Sequence, residues 1–168
     1  MKSKLFLILA LVVALAATAA AKTRSTGTVS CAKPAPEYSI AVEDQAGHAL
    51  AISKSACTWT KPMEIAGLKT KGGHDFTYGD ATGTQVQSWG YHVSTMDNGD
   101  KMYVKFQGKD TMTKDGKPST TEGTWSYTGG TGKLKGIKGG GTYKGKADAA
   151  GNMVVEVEGA YEMPKAMK

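Results

Sequence analysis

The chain is poor in the residues from which active sites are most often built. It holds three histidines and two cysteines in 168 residues. His48, His74 and His92 are too scattered for the ligand spacings of a metal centre, and neither cysteine has a ligand neighbour beside it. The absence of a C-x-x-C pair excludes a thioredoxin-like redox motif. Like charges never run beyond two in a row, although 21 basic residues outnumber 15 acidic ones. Such interspersed charge describes a solvated surface and argues against a nucleic-acid groove, leaving a mild preference for anionic partners. Beyond residue 21 no segment keeps apolar residues at helical spacing for three turns, which argues against a helical bundle.

The one long apolar run is N-terminal. Lys2 and Lys4 precede an unbroken apolar stretch from Leu5 to Ala17, and Ala19-Ala20-Ala21 supplies a small-residue cleavage pattern before Lys22. A bilayer span needs about 20 apolar residues, and this run is shorter. Residues 1–21 therefore read as a cleaved signal peptide. The protein is expected to be exported, to a bacterial periplasm or the medium, with no membrane association after cleavage. In that compartment Cys31 and Cys57 are expected to pair, a bridge worth about 3 kcal/mol through the unfolded chain it restricts.

Residues 22–36, polar and holding two prolines, read as an N-terminal arm. Residues 37–163 read as one β-barrel domain, and 164–168 as a C-terminal tail. Within the domain Tyr38, Ile40 and Val42 alternate with Ser39, Ala41 and Glu43, the pattern of a half-buried strand. Asp44-Gln45-Ala46-Gly47 reads as a turn, followed by a strand with Leu50 and Ile52 on one face; an Ala-rich helix over 46–57 is the alternative there. His74 to Tyr78 reads as a short strand ended by the Gly79–Gly83 segment. The clearest hairpin runs from Ser88 through Asp97-Asn98-Gly99-Asp100, since Asn-Gly takes the positive φ angles of a tight turn. Trp89, Tyr91 and Val93 lie on one face of its first strand, and Met102, Val104 and Phe106 on one face of its second. Near the C-terminus Met153, Val155, Val157 and Tyr161 alternate with Glu156, Glu158 and Glu162. Short alternating strands together with 22 glycines favour an all-β closed sheet.

The glycines around Gly140–Gly145 do not form a phosphate loop, because Lys146 is followed by Ala147 and no helix opens there. Asp75, Asp80, Glu122 and Glu156 are the acid–base candidates, and His74-Asp75 could orient an imidazole. No nucleophile elbow or serine–histidine–acid set is evident, and no cofactor or metal is expected. The aromatics carry more information. Trp59, Trp89, Tyr91, Phe106, Trp125, Tyr127, Tyr143 and Tyr161 fall in strands, so an inward face would line a lumen suited to an apolar or aromatic ligand, with Trp89, Tyr91, Phe106, Trp125, Tyr127 and Tyr161 the lining candidates. The alternative is that they simply fill the core.

Gly123-Thr-Trp-Ser-Tyr and Gly129-Gly-Thr-Gly-Lys-Leu-Lys-Gly-Ile-Lys-Gly-Gly-Gly-Thr-Tyr resemble the allene oxide cyclase-like barrel superfamily, which includes dirigent proteins and small exported bacterial proteins. The match covers roughly residues 107–163. It implies an eight-stranded antiparallel β-barrel, allene oxide cyclase-like, often a trimer in the plant members. Cyclases of that group steer closure of a lipid epoxide and dirigent proteins steer phenol coupling, but no catalytic residue of either aligns here. The function expected is non-catalytic binding of a small apolar or aromatic molecule. An isomerase or cyclase acting on a bound reactive substrate is one alternative, and a structural protein with a filled barrel is another.

Overall fold

The computed structural model describes residues 22–164; the leader and all but the first residue of the C-terminal tail lie outside them. Ten strands follow in order: β1 (Thr23–Cys31), β2 (Glu37–Ala41), β3 (His48–Lys61), β4 (Glu64–Ile65), β5 (Leu68–Thr82), β6 (Gln85–Met96), β7 (Lys101–Met112), β8 (Pro118–Gly130), β9 (Lys138–Ala147) and β10 (Met153–Glu162). The one helical element among the described residues is a single 3₁₀ turn, Gly132–Leu134. All pairings are antiparallel, in the order β3-β1-β10-β9-β8-β7-β6-β5, and β5 pairs back with β3 from His48↔Thr82 to Thr58↔Gly72. That return closes an eight-stranded barrel and leaves no open edge along its wall. β2 and β4 are short additions, on β3 and β5 respectively.

The barrel has two unlike ends. At one, Met63, Ile65, Leu68, Met96, Leu134 and Ile137 are buried and form a packed floor, with Thr70 wholly inside it. The Thr70 hydroxyl accepts from the Met63 amide at 2.9 Å. The Tyr161 hydroxyl accepts from the Ala66 amide at 2.9 Å, fixing the tight turn that joins β4 to β5. At the other end the connections after β1, β5, β7 and β9 surround a mouth. Among the described residues nothing comparable to Leu134 or Ile65 folds across it.

Several expectations are corrected here. Most of the 22–36 arm is β1, a full member of the wall between β3 and β10, with Ser25, Val29 and Cys31 buried. Its inward residues are small or polar, so it carries no apolar alternation to read. The Ala-rich segment is strand from His48 onward, as expected after the Asp44–Gly47 turn, and the alternative helix does not form; the strand around His74 is longer than expected, 15 residues from Leu68 to Thr82. β2 forms as expected, but its apolar side faces out: Tyr38 is 66 % and Ile40 74 % exposed. The Asn98-Gly99 turn is present, with Gly99 at φ 90°, where a side chain would be strained. Cys31 and Cys57 stand directly opposite on β1 and β3 and are bonded as a disulfide.

Candidate functional site

Above the floor the barrel encloses a cavity of about 460 Å³ that opens at the mouth. Its wall is mainly apolar: Val29 of β1, Trp59 of β3, Val104 and Phe106 of β7, Trp125 of β8, Tyr143 of β9, and Val155 and Val157 of β10. Glycines make room for the large rings. Trp125 donates its indole N–H to the carbonyls of Thr142 and Glu158, at 3.1 and 3.2 Å, and lies against Gly159 where any Cβ would collide with it. Gly108 and Gly123, paired across β7 and β8, leave the space into which the Tyr143 hydroxyl projects. Phe106 packs edge-on against Tyr143 with ring centres 6.1 Å apart.

The Tyr143 hydroxyl is buried without a hydrogen-bond partner among the described residues, as is that of Tyr127. Burial pushes both phenols up from their ordinary value; for Tyr143 the negative charge of Asp110, and less so that of Asp75, adds to the rise. The neighbouring hydroxyls of Thr121 and Ser88 oppose that rise for Tyr143 without forming a hydrogen bond to it. A phenol held in this way is a hydrogen-bond donor aimed into an apolar chamber.

A polar chain runs from the floor to the cavity. The Trp59 indole N–H donates to the Ser94 hydroxyl at 2.9 Å. That hydroxyl lies 2.7 Å from His92 Nε2, and His92 Nδ1 lies 2.5 Å from Asp75 Oδ1. With Ser94 donating to Nε2 and Nδ1–H donating to Asp75, every group in the chain is satisfied and the imidazole is held in one tautomer. The connectivity is that of a serine–histidine–aspartate set, which sequence spacing did not bring together. Access runs the wrong way for a hydrolase, however. Ser94 is wholly buried, whereas Asp75 and His92 line the cavity. The carboxylate, not the serine, is the end that meets a guest. Asp75 also lies within 4.8 Å of both cysteine sulfurs, but a disulfide sulfur is no thiolate and this grouping offers no metal ligand set.

The aromatic candidates divide three ways. Phe106 and Trp125 line the cavity. Tyr127 and Tyr161 face inward and pack against the core closer to the floor. Trp89 and Tyr91 point away from the barrel axis, 46 % and 54 % exposed, so the apolar side of β6 is its outer side. The inward side carries Ser88, Gly90, His92 and Ser94, because Phe106 already occupies the space above Gly90. Of the acid–base candidates Asp75 alone reaches the cavity; Asp80 bonds His48 at the mouth, and Glu122 and Glu156 border an open groove on the outer wall. Tyr143, one of the strand aromatics, lines the cavity; so does Asp110, which sequence reasoning did not single out, and the signal for it was its place on the same alternation face of β7 as Phe106.

On the outer wall Tyr38, Ile52, Tyr78 and Trp89 stand side by side across β2, β3, β5 and β6. Tyr78 and Trp89 are stacked, 6.2 Å apart. Ile40, Val42, Leu50, Phe76 and Tyr91 complete a set of nine exposed large apolar residues.

The fold is a closed, eight-stranded antiparallel barrel, as the resemblance of the glycine-rich segment implies. Among solved structures the chain is similar to a pterocarpan synthase dirigent protein, at 12 % identity over 88 % of each chain with a TM-score of 0.47. It is also similar to a conserved protein of unknown function from Rhodopseudomonas palustris, at 10 % identity over 84 % of this chain and 98 % of that one, with a TM-score of 0.42. No protein-family model and no curated protein matches the chain.

Proposed function

We propose that this is an exported binding protein which holds a small apolar or aromatic molecule in its barrel without altering it. The observation that carries the reading is the chamber of about 460 Å³, walled by Trp, Phe, Tyr and Val above a packed floor. Ligand sites of roughly 300–1,000 Å³ with apolar walls and few polar groups are the rule for small-molecule binding. Titration with the neutral fluorophore N-phenyl-1-naphthylamine tests it. Saturable 1:1 enhancement is expected, abolished in Val155→Trp, which fills the chamber, and unchanged in Tyr91→Ala on the outer wall. Equal enhancement in both variants would place the dye outside the barrel and sink the reading.

The Asp75–His92 pair favours a second reading, an isomerase or cyclase in which that carboxylate moves a proton on a moulded substrate. A guest recovered from the native host separates the two: turnover by the parent and none by Asp75→Asn, with affinity retained, supports catalysis.

The disulfide supports export. The outer apolar row supports self-association of the barrel with further copies. Nine residues presenting roughly 100 Å² each match the ~800 Å² per partner of a standard interface. Sedimentation of the parent as an oligomer and of Trp89→Arg as a monomer is expected; a monomeric parent at micromolar concentration overturns this.

A further inference from the structure

The overall charge of the chain is positive, +6 by formal count, yet its interior has the opposite sign. The ionisable side chains that border the cavity are Lys33, Glu37, Asp75, His92, Asp110 and the phenol of Tyr143. Lys33 and Glu37 belong to the connection after β1 and the start of β2, at the rim. From the barrel strands themselves two carboxylates turn into the chamber, Asp75 midway along β5 and Asp110 near the mouth end of β7, and no lysine or arginine of those strands borders it. The lysines of the same strands, Lys105 and Lys109 of β7 and Lys144 of β9, alternate with the inward residues and point to water.

The two carboxylates are differently supplied. Asp75 has His92. Asp110 accepts one hydrogen bond, from the Thr121 hydroxyl at 2.5 Å, and has no ion-pair partner among the described residues. Half-buried and without a counter-charge, the Asp110 carboxylate is open to a charge-assisted contact with a cation brought beside it. The neighbouring surfaces are suited to the same guest. Phe106, Trp125 and Tyr143 line the chamber, and aromatic rings beside carboxylates are the chemistry that holds organic ammonium groups. The upward push that Asp110 and Asp75 exert on the Tyr143 phenol reflects the same negative field.

We infer that the lumen selects an apolar cation, an aromatic or alicyclic amine whose ammonium group lies against Asp110 while its ring fills the chamber between Phe106, Trp125 and Val155. This rests on the lumen being a binding cavity, and it reverses the preference for anions that the net charge implies.

Calorimetric titration of the full chain with three probes sharing one ring tests it: 1-naphthylmethylammonium, 1-naphthalenemethanol and 1-naphthoate at neutral pH. The ammonium is expected to bind about tenfold or more tighter than the alcohol, and the carboxylate weakest. Asp110→Asn is expected to bring the ammonium to within about threefold of the alcohol, as loss of a charge-assisted contact would, while the alcohol's affinity stays put. An alcohol that binds as tightly as the ammonium, or a tighter naphthoate, overturns the inference even if N-phenyl-1-naphthylamine still enters the barrel. Failure of all four probes removes the lumen reading itself. The order seen with the parent protein decides the matter whether or not the variant folds, and an unchanged gap in a folded Asp110→Asn refutes the role given to that residue.

Discussion

The floor and the chamber are built on the same strands, yet they obey different rules. Towards the floor, inward positions carry Leu68, Met96 and Met102, joined by Met63, Ile65, Leu134 and Ile137 from the connections, and the space between them is filled. Towards the mouth the same strands turn Ser55, Thr77, Ser88 and Asp110 inward, and the large rings stand apart around open volume. The difference teaches that stability and recognition are separated along the barrel axis. One end supplies dense apolar contact, and the other gives some of it up to keep a cavity. Changes at the two ends should therefore fail in different ways.

The sharpest test is Leu134→Ala, which empties a wholly buried position in the floor. A loss of about 2–5 kcal/mol is expected in urea unfolding; a loss below about 1 kcal/mol would mean that the floor is not the stable end. Reduction of the Cys31–Cys57 bridge comes next, at about 3 kcal/mol if the restricted unfolded chain dominates. Its readout is the urea midpoint of Cys31→Ser/Cys57→Ser against the parent. Gly123→Ala is expected to cost about 1–3 kcal/mol through overpacking, because the new methyl meets both the Tyr143 hydroxyl and the Gln107 carbonyl. Unlike the floor substitution it should also weaken guest binding, since Tyr143 must move.

The smallest effect belongs to the mouth. His48 bonds Asp44 at 2.5 Å and Asp80 at 3.1 Å, tying the β2–β3 turn to the end of β5. The Asp44 hydrogen bond is the main cause of the rise in the His48 pKa above its ordinary 6.5, and His48 in turn lowers Asp44 below 3.8. A raised histidine stabilises fully below its unfolded value and loses the contribution as pH climbs through the folded one. A lowered carboxylate stabilises above its unfolded value and loses it as pH falls through the folded one. The clip is thus complete between about 3.8 and 6.5 and weakens on either side. Hydrogen exchange at residues 43–48 should speed up as pH rises past the His48 titration, after correction for intrinsic rates, and His48→Gln should abolish that step.

The strands that were legible are those whose apolar residues point inward. β7 and β10 show Met102, Val104, Phe106 and Val155, Val157, Tyr161 on the barrel side, as alternation predicts. β6 reverses the rule. An eight-stranded barrel has room for few large rings, and Trp59, Phe106 and Tyr143 take that room, so β6 places serine, glycine and histidine inside. Its aromatics then have only the outer wall. β1 was hidden for the same reason, since Ser25, Gly27 and Val29 read as polar linker. The Asp75–His92–Ser94 chain was illegible because its members meet only when β5 and β6 pair in one register. Turn chemistry at Asn98-Gly99 and the cysteine pair needed no such knowledge.

The ring closes between strangers in sequence: Thr23 of β1 stands opposite Tyr161 of β10. The cylinder cannot be sealed until β10 has arrived, so a chain still being made remains an unfinished sheet with two raw borders. The same adjacency leaves the two ends of the wall side by side. A short linker from Glu162 to Thr23, with a new opening cut at the Thr113–Lys117 turn, should give a permuted chain that rebuilds the same hoop of strands.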